Sequence, residues 1–263
     1  MSKAFETIKN FLESESIDTF SAIKAENLSV IDEKRMPEGV KSAVMFLMPY
    51  YTGEHKDRNV SLYAVSRDYH YFTKELSARF EGTGTHFYSF FADTSPIDER
   101  RAALRARLGF IGQNGLIINE KYGSFVFIGT ILTDAVFDEE EYTETNEKKS
   151  CINCGLCKKN CAFLRGESEY CLSELNQRKT VTDEELKLIR SQKILWGCDI
   201  CQEVCPHNRD IPETKIGFFK EDLLEKIDAE TIENMPKEEF TKRAYAWRGK
   251  KTLLRNLGKK SLE

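Results

Sequence analysis

The pattern of apolar and polar residues predicts alternating helices and strands before residue 138. In Lys3–Glu13 the apolar residues recur every three or four positions, which places them on one face of an amphipathic helix. The same reasoning predicts a buried strand at Val40–Met48, a helix at Ser61–Phe80, an aromatic-rich strand at Thr85–Ala92, a helix at Ile97–Leu108, and a strand pair at Gly115–Asn119 and Ser124–Leu132. This order predicts an α+β protein whose N-terminal α/β domain contains a mixed sheet.

The periodicity stops at Asp138–Lys149, which is acidic and predicts a domain boundary. Further helices are predicted at Asp183–Gln192, Phe218–Ile227 and Glu238–Leu257. The predicted organisation is an α/β domain at 1–138, an acidic linker at 139–149, a cysteine-rich module at 150–210 and a helical, basic C-terminal segment at 211–263.

Composition and charge indicate where the protein works and what it could bind. The 263 residues contain neither an 18-residue apolar run nor an export leader, so we expect a cytoplasmic protein without a membrane span. The net charge is −4, yet Thr241–Glu263 contains eight basic residues and one acidic residue. A basic segment of this kind either contacts phosphate groups or forms a solvated helix face, and both interpretations stay open.

All eight cysteines lie between positions 151 and 205. The first run has the spacing C-x2-C-x2-C-x3-C, with which bacterial ferredoxins bind 4Fe–4S clusters, and the second has C-x2-C-x3-C-P. The cysteines of the two runs are Cys151, Cys154, Cys157 and Cys161, then Cys198, Cys201 and Cys205, and Cys171 lies alone between them. Eight thiolates predict two four-cysteine clusters in a ferredoxin-like module.

Disulfides and zinc sites are the two alternatives to iron–sulfur clusters for these cysteines. Disulfides are disfavoured because C-x2-C groups in a chain without an export signal usually bind metal. Two zinc sites are the main alternative, since C-x2-C pairs also form zinc ribbons. One position departs from the ferredoxin pattern, because Ala162 follows Cys161 where proline is usual, whereas Pro206 follows Cys205 as expected.

Several motifs, in order, resemble those of epoxyqueuosine reductases. Trp196–Asn208 resembles the family's G-C-D-x-C-Q-x-V-C-P-x-N signature, and Cys171 begins a C-[IL]-S-x-L element. Upstream, Asp93-Thr-Ser-Pro with Arg100 and the segment 108–114 resemble two further elements, and Trp247–Leu257 resembles the start of the family's C-terminal region. The resemblance covers about residues 40 to 257.

This resemblance implies a cobalamin cofactor, in an arrangement related to reductive dehalogenases. The positions that match cobalamin contacts are Ser61, Asp93, Ile117, Ile128, Cys198 and Asp199. Since Asp68-Tyr-His70 is not followed by the rest of a D-x-H-x-x-G motif, no histidine ligand to cobalt is expected. The family pattern assigns one cluster to Cys151, Cys154, Cys157 and Cys205, and the other to Cys161, Cys171, Cys198 and Cys201.

Asp93 is the candidate proton donor implied by the family motif. Reduction of an epoxide to an alkene takes two electrons and protonation of the departing oxygen, which a carboxylic acid can supply by general acid catalysis. That role requires burial, because burial raises the pKa of a carboxyl group. The alternative is an aspartate that ends a strand and caps the next helix.

The resemblance predicts reduction of epoxyqueuosine to queuosine in the anticodon stem-loop of tRNA, by a monomer supplied by an external one-electron donor such as ferredoxin or flavodoxin. Two departures keep alternatives open: Gln113 stands where the family usually has lysine, and the sequence ends near the start of the family's helical-repeat region. One alternative is a corrinoid iron–sulfur reductase of a small organic substrate. Another is a ferredoxin-like electron carrier.

Overall fold

The computed structural model describes residues 2–142 and 150–258, which form two compact units. The first unit comprises the described residues of Met1–Pro49, Tyr69–Asn153 and Arg209–Ile216. The second comprises Tyr50–Asp68, Cys154–Asn208 and the described residues of Gly217–Glu263. The chain therefore crosses between the units five times. Most of the predicted acidic linker, at 143–149, lies outside the described residues.

The first unit combines an antiparallel sheet with three helices. Its elements are α1 (Lys3–Ser14), β1 (Phe20–Lys24), β2 (Ser42–Pro49), α2 (Tyr69–Arg79), β3 (Tyr88–Ala92), α3 (Glu99–Arg105), β4 (Phe110–Ile111), β5 (Ile117–Ile118) and β6 (Val126–Thr133). The main sheet has the strand order β1-β2-β6-β3, and β4 pairs with β5 separately. The mixed content of helices and strands is as predicted, but all three pairings of the main sheet are antiparallel, so the expected mixed sheet is wrong.

The central strand β2 is buried along its whole length, which explains its uninterrupted apolar sequence. On one face, Met45 and Leu47 pack in a core with Ala103 of α3 and Leu132 of β6. Aromatic side chains build a second cluster, in which the Phe11 ring of α1 meets the rings of Phe80 and Phe90. The central strands are therefore held by packing against helices.

The predictions for α1, β2 and β3 are confirmed to within a few residues. The predicted strand pair between 115–119 and 124–132 is wrong, because β5 pairs with β4 whereas β6 inserts between β2 and β3. Strand β1 and the short strand β4 were not predicted. The helix predicted at Ile97–Leu108 is shorter and begins at Glu99, where the Asp98 side chain accepts a hydrogen bond from the Arg101 N–H.

The second unit is built from short helices around a compact core. Its helices are α4 (Leu156–Asn160), α5 (Ala162–Arg165), α6 (Leu172–Gln177), α7 (Asp183–Arg190), α8 (Ile200–Glu203), α9 (Ala229–Asn234), α10 (Lys237–Thr241) and α11 (Lys250–Asn256). Trp196 and Tyr245 are fully buried at its centre, with Val60, Ile232 and Leu253 around them. The prediction for α7 is confirmed, and a capping box at Thr182 begins it.

Three helix predictions that involve this unit need correction. The helix predicted at Ser61–Phe80 begins only at Tyr69, because the N–H groups of Ser61, Leu62 and Asp68 bond to Trp196, Asp199 and Lys242 instead of to their own helix. The predicted helix at Phe218–Ile227 is reduced to a 3₁₀ turn at Gly217–Lys220. The segment Glu238–Leu257 is divided between α10 and α11, with Gly249 at φ 75° before α11.

None of the helices in 2–142 and 150–258 combines the length and apolar character that crossing a membrane requires.

Candidate functional site

The Cys198 and Cys201 thiols of the second unit have raised pKa values. Burial is the main cause, the nearby thiols of Cys161 and Cys171 contribute, and together the causes raise the pKa of each to about 12. These four residues are the set that the family resemblance assigns to one cluster. In the metal-free protein, Cys198 and Cys201 are therefore neutral thiols at pH 7, and metal binding must displace their protons.

The other predicted set is distributed over both units. Cys157 lies on α4 and Cys205 is the second residue after α8, and these two helices pack together in the second unit. Cys154 is the one cysteine whose side chain is exposed, and it also belongs to the second unit, whereas Cys151 belongs to the first. All eight cysteines carry free thiols.

No group of three or more His, Cys, Asp or Glu side chains within the described ranges surrounds a single metal-ion position. A zinc ion holds its thiolates about 2.3 Å away, whereas a 4Fe–4S cluster binds each of four cysteines at a different iron atom. The two kinds of site therefore require different spacings between sulfur atoms. The assignment to clusters remains a prediction, which metal analysis can decide.

Asp199, between Cys198 and Cys201, is held by a buried polar network. The carboxylate is 1% exposed. Its Oδ1 accepts a hydrogen bond of 2.5 Å from the Ser61 hydroxyl, and its Oδ2 accepts one of 2.8 Å from the Leu62 N–H. The Arg58 guanidinium, itself 4% exposed, lies 3.1 Å from Oδ2. Burial raises the pKa of the Asp199 carboxyl, and the Arg58 guanidinium and both hydrogen bonds oppose that rise.

The structure thus brings together three of the six predicted cobalamin contacts: Ser61, Cys198 and Asp199. The Ser61 and Asp199 side chains are buried and bonded to each other, and the Ser61 N–H donates to the Trp196 carbonyl oxygen. The other three, Asp93, Ile117 and Ile128, belong to the first unit. Ile117 is buried on β5 and Ile128 is half-buried on β6.

Asp93 directly follows β3 and has a left-handed backbone conformation, with φ 58°. Its Oδ2 accepts a hydrogen bond of 3.0 Å from the Tyr69 hydroxyl, whose ring stacks on Phe127 at 4.0 Å between centroids. The side chain is exposed, so the described residues alone do not supply the burial that the role of proton donor requires. Asp98, not Asp93, caps the following helix, which removes the capping role as the explanation of Asp93.

The Glu99 carboxylate binds the backbone of the loop that contains Asp93. Its Oε2 accepts a hydrogen bond of 2.8 Å from the Asp93 N–H, and its Oε1 accepts one of 3.3 Å from the Ser95 N–H. Burial raises the pKa of the Glu99 carboxyl, the hydrogen bonds with Ser95 and Asp93 lower it, and the charge of Asp93 raises it. The loop that carries the candidate proton donor is therefore tied to the start of α3.

The loop between β4 and β5 contains two further family positions. The Gln113 side-chain amide donates a hydrogen bond of 3.0 Å to Oδ1 of Asn153. Its Oε1 is buried without a hydrogen-bond partner. Arg100 donates to the Gly115 carbonyl oxygen over 3.1 Å, and so supports this loop. A lysine at 113 would place a charge where this chain has a neutral amide.

Part of the basic C-terminal segment is used inside the second unit. Lys250 donates hydrogen bonds to the carbonyl oxygens of Glu233 and Met235, and Arg255 to those of Arg178 and Lys179. These cations stabilise helix ends and loops. Lys259 and Lys260 lie outside the described residues.

Sequence reasoning did not identify Arg58, Tyr69 or Glu99 as site residues. Arg58 lies in a segment without periodicity, and Glu99 stands where an acidic residue is typical of a helix start. The signal that could have identified Glu99 is its spacing of six residues from Asp93 across Pro96. Nothing in the sequence connects Arg58 with Asp199.

The sequence matches a known family model and several curated proteins. Residues 31–94 match the family model described as "Epoxyqueuosine reductase QueG, DUF1730". An epoxyqueuosine reductase of Cyclobacterium marinum is 31% identical over 230 residues, which cover 81% of this chain and 72% of that protein. One from Lactococcus garvieae is 32% identical over 222 residues, which cover 78% of this chain and 61% of that protein.

Solved structures show the same fold over nearly the whole chain. An epoxyqueuosine reductase from Streptococcus thermophilus superimposes with a TM-score of 0.75 at 22% identity, covering 98% of this chain and 80% of that one. An epoxyqueuosine reductase bound to an epoxyqueuosine-modified tRNA-Tyr stem-loop superimposes with a TM-score of 0.72 at 21% identity, covering 96% of this chain and 79% of that one.

Proposed function

Because the chain belongs to the epoxyqueuosine reductase family, we propose that it reduces the epoxide of epoxyqueuosine in tRNA to the alkene of queuosine. As a member of that family it is an oxidoreductase. The reaction consumes two electrons and two protons, breaks both C–O bonds of the epoxide and releases the oxygen as water. The observation that carries the proposal is the Asp93 loop, in which an exposed carboxyl group is held between Tyr69 and Glu99.

Two 4Fe–4S clusters are proposed as the path for electrons. Cys161, Cys171, Cys198 and Cys201 are proposed to bind one cluster, since the thiols of Cys161 and Cys171 lie close enough to raise the pKa of both Cys198 and Cys201. The second set is Cys151, Cys154, Cys157 and Cys205, by the exchange of one cysteine between runs that ferredoxins use. An external one-electron donor, such as a ferredoxin or flavodoxin, supplies the electrons.

Cobalamin is the proposed site of two-electron chemistry; when bound, it supplies a strongly reducing metal centre. The chain's own part is to bind and orient it. Backbone atoms around Ser61, Cys198 and Asp199 are the proposed contacts in the second unit, where the buried Asp199 network stiffens the loop. Asp93, Ile117 and Ile128 are the proposed contacts in the first. A likeness of this arrangement to reductive dehalogenases is part of the same proposal.

Asp93 is the proposed proton donor to the departing oxygen. Asp93 is the first residue after β3, so its backbone is anchored by the sheet. The Tyr69 hydroxyl fixes the orientation of its carboxyl group. A substrate that covers the exposed carboxyl would exclude water and favour its protonated form.

The test begins with anaerobic purification and measurement of iron, sulfide, zinc and corrin. The loaded protein is then given reductant and an epoxyqueuosine-containing anticodon stem-loop, and loss of one oxygen atom from the nucleoside is followed by mass spectrometry. We expect iron, corrin uptake and conversion. Zinc without iron would overturn the cluster assignment, and loaded protein that leaves the stem-loop unchanged would overturn the reaction.

Asp93→Asn tests the proton donor separately. General acid catalysis is typically worth about 10² to 10⁴ in rate, so turnover should fall by roughly that factor with iron and corrin content retained. Unchanged turnover would remove Asp93 from this role.

The small-molecule alternative makes a different prediction about binding. Contacts with phosphate groups release counterions, so affinity for the stem-loop should fall steeply as the salt concentration rises. Absence of stem-loop binding at low salt, with corrin and clusters present, would favour a small organic substrate.

A further inference from the structure

The side chain of Asn176 connects two segments that carry cysteines of the same predicted cluster. Cys171 directly precedes α6, and Asn176 is the fifth residue of that helix. Cys198 lies in a different segment, between Trp196 and α8. Asn176 is fully buried, so its amide must find its partners within the protein.

Both partners of the amide belong to Gly197, the residue before Cys198. The Asn176 Nδ2 donates a hydrogen bond of 2.7 Å to the Gly197 carbonyl oxygen, and its Oδ1 accepts one of 3.0 Å from the Gly197 N–H. The amide thus imitates a backbone pairing and fixes both polar groups of one residue. Only a side chain with one donor and one acceptor at this spacing can make both bonds.

Gly197 has little freedom to move. Its φ of 75° lies in the left-handed region that favours glycine, and a Cβ atom there would come within 2.4 Å of the Ser61 Cβ. Asn176 is itself held by the buried Asn256 of α11. The Asn256 side-chain amide donates one hydrogen bond of 2.8 Å to the Asn176 carbonyl oxygen and one of 2.9 Å to that of Leu195. Both residues of the Asn176–Gly197 pair are therefore held in place by their surroundings.

We propose that Asn176 is a positioning residue for the cluster of Cys161, Cys171, Cys198 and Cys201, because it fixes the Cys198 sulfur relative to that of Cys171. This inference rests on the cluster assignment proposed above. Cluster properties depend on ligand geometry and on hydrogen bonding around the sulfur atoms. A change that displaces Gly197 should alter this cluster and leave the other one unchanged.

The test compares Asn176→Asp with Asn160→Asp. The first variant keeps the size of the side chain but replaces the donor by an oxygen that faces the Gly197 carbonyl, which repels it. Asn160 is the matched control, since its exposed side-chain amide also donates to a backbone carbonyl, that of Leu156, at 2.9 Å. Iron content and the electron paramagnetic resonance spectrum of the dithionite-reduced protein are measured for both and for the wild type.

We expect Asn176→Asp to lose up to about half of the iron, or to change the signal and midpoint potential of one cluster only. Asn160→Asp places the same new charge beside Cys161 of this cluster, so it controls for charge alone: it should keep the wild-type iron content and change the spectrum less than Asn176→Asp does. Wild-type iron content, spectrum and potential in Asn176→Asp would overturn the inference while leaving the proposed function intact. A wild-type protein without iron would overturn both, and the two failures are thereby distinguished.

A second variant covers the case in which Asn176→Asp does not fold, as judged by urea unfolding of the metal-free protein. Asn256→Ala leaves both bonds between Asn176 and Gly197 in place and removes the bonds of Asn256 to Asn176, Leu195 and the Arg255 side chain. It should change the signal of the same cluster to a smaller extent. An unchanged spectrum in folded Asn256→Ala, together with an unfolded Asn176→Asp, would reduce Asn176 to a residue of general stability and overturn the positioning role.

Discussion

The Tyr69 hydroxyl lies 3.0 Å from Oδ2 of Asp93 and donates a hydrogen bond to it. Tyr69 begins α2, and its ring stacks on that of Phe127 and lies 4.2 Å from the His70 ring between centroids. The hydroxyl is therefore held by a rigid support, and it holds the carboxyl group in one orientation. This relationship explains how a side chain in an exposed loop can have a defined direction.

Tyr69→Phe should slow epoxide reduction by about two- to twelvefold, because a single hydrogen bond contributes about 0.5–1.5 kcal/mol and 1.4 kcal/mol is a factor of ten. The ring stacking is retained, so stability and cofactor content should not change. Single-turnover kinetics on the modified stem-loop provides the measurement. In an Asp93→Asn background the second substitution should have little further effect, and fully additive losses would contradict a shared role.

Glu99 should make stability depend on pH. Because burial raises its pKa in the folded protein, the stabilisation is fully present below the pKa of the unfolded chain and is lost as pH rises through the folded value. Glu99→Gln cannot ionise, so the stability advantage of the wild type over this variant should shrink from pH 4.5 toward pH 8. Urea unfolding across that range measures it, and a constant difference would contradict the assignment.

Arg58→Met should destabilise the protein by about 3–5 kcal/mol, because it leaves the buried Asp199 carboxylate without its cation. The matched control is Arg79→Met, which removes an exposed guanidinium paired with Glu15 at 2.7 Å and should cost less than about 1 kcal/mol. Denaturant unfolding of the metal-free proteins compares the two. Equal losses would show that the Arg58 pair behaves as a surface salt bridge.

The cysteines of the metal-free protein should differ in their reactivity with iodoacetamide. With a pKa of about 12, only about one in ten thousand Cys198 or Cys201 thiols is ionised at pH 8, so both should react much more slowly than the exposed Cys154. Their rates should rise about tenfold per pH unit. Mass spectrometry after timed anaerobic labelling measures each site, with urea-unfolded protein as the control in which all react. Equal rates in folded protein would contradict burial.

Local patterns predicted the parts of the fold that local interactions determine. The apolar face of α1, the uninterrupted apolar run of β2 and the capping signals of α7 were sufficient to place those elements. Strand partners could not be predicted in the same way, because β6 pairs with strands that are distant in sequence. The helix expected from Ser61 failed for a related reason, since a carboxylate 137 residues away takes the Leu62 N–H.

The same division applies to the site. Spacing predicted the eight cysteines as ligands, and motif resemblance predicted roles for Asp93 and Asp199, because these residues lie in recognisable sequence motifs. Arg58, Tyr69 and Glu99 serve them through contacts made only in the folded chain, and their own neighbours in sequence carry no such signal. The expected burial of Asp93 could not be judged from sequence, and the structure finds the side chain exposed.

Because the chain passes repeatedly between the two units, residues that contact each other in the second unit are synthesised far apart in time. Ser61 and Arg58 leave the ribosome early, yet the carboxylate that they bind is translated 138 residues after Ser61. Val60 and Val65 likewise must wait for Trp196 and Leu253 before their core can close. The nascent segment 50–68 therefore remains without its partners until the residues from Trp196 to Leu253 have emerged, and the core of the second unit closes only late in synthesis.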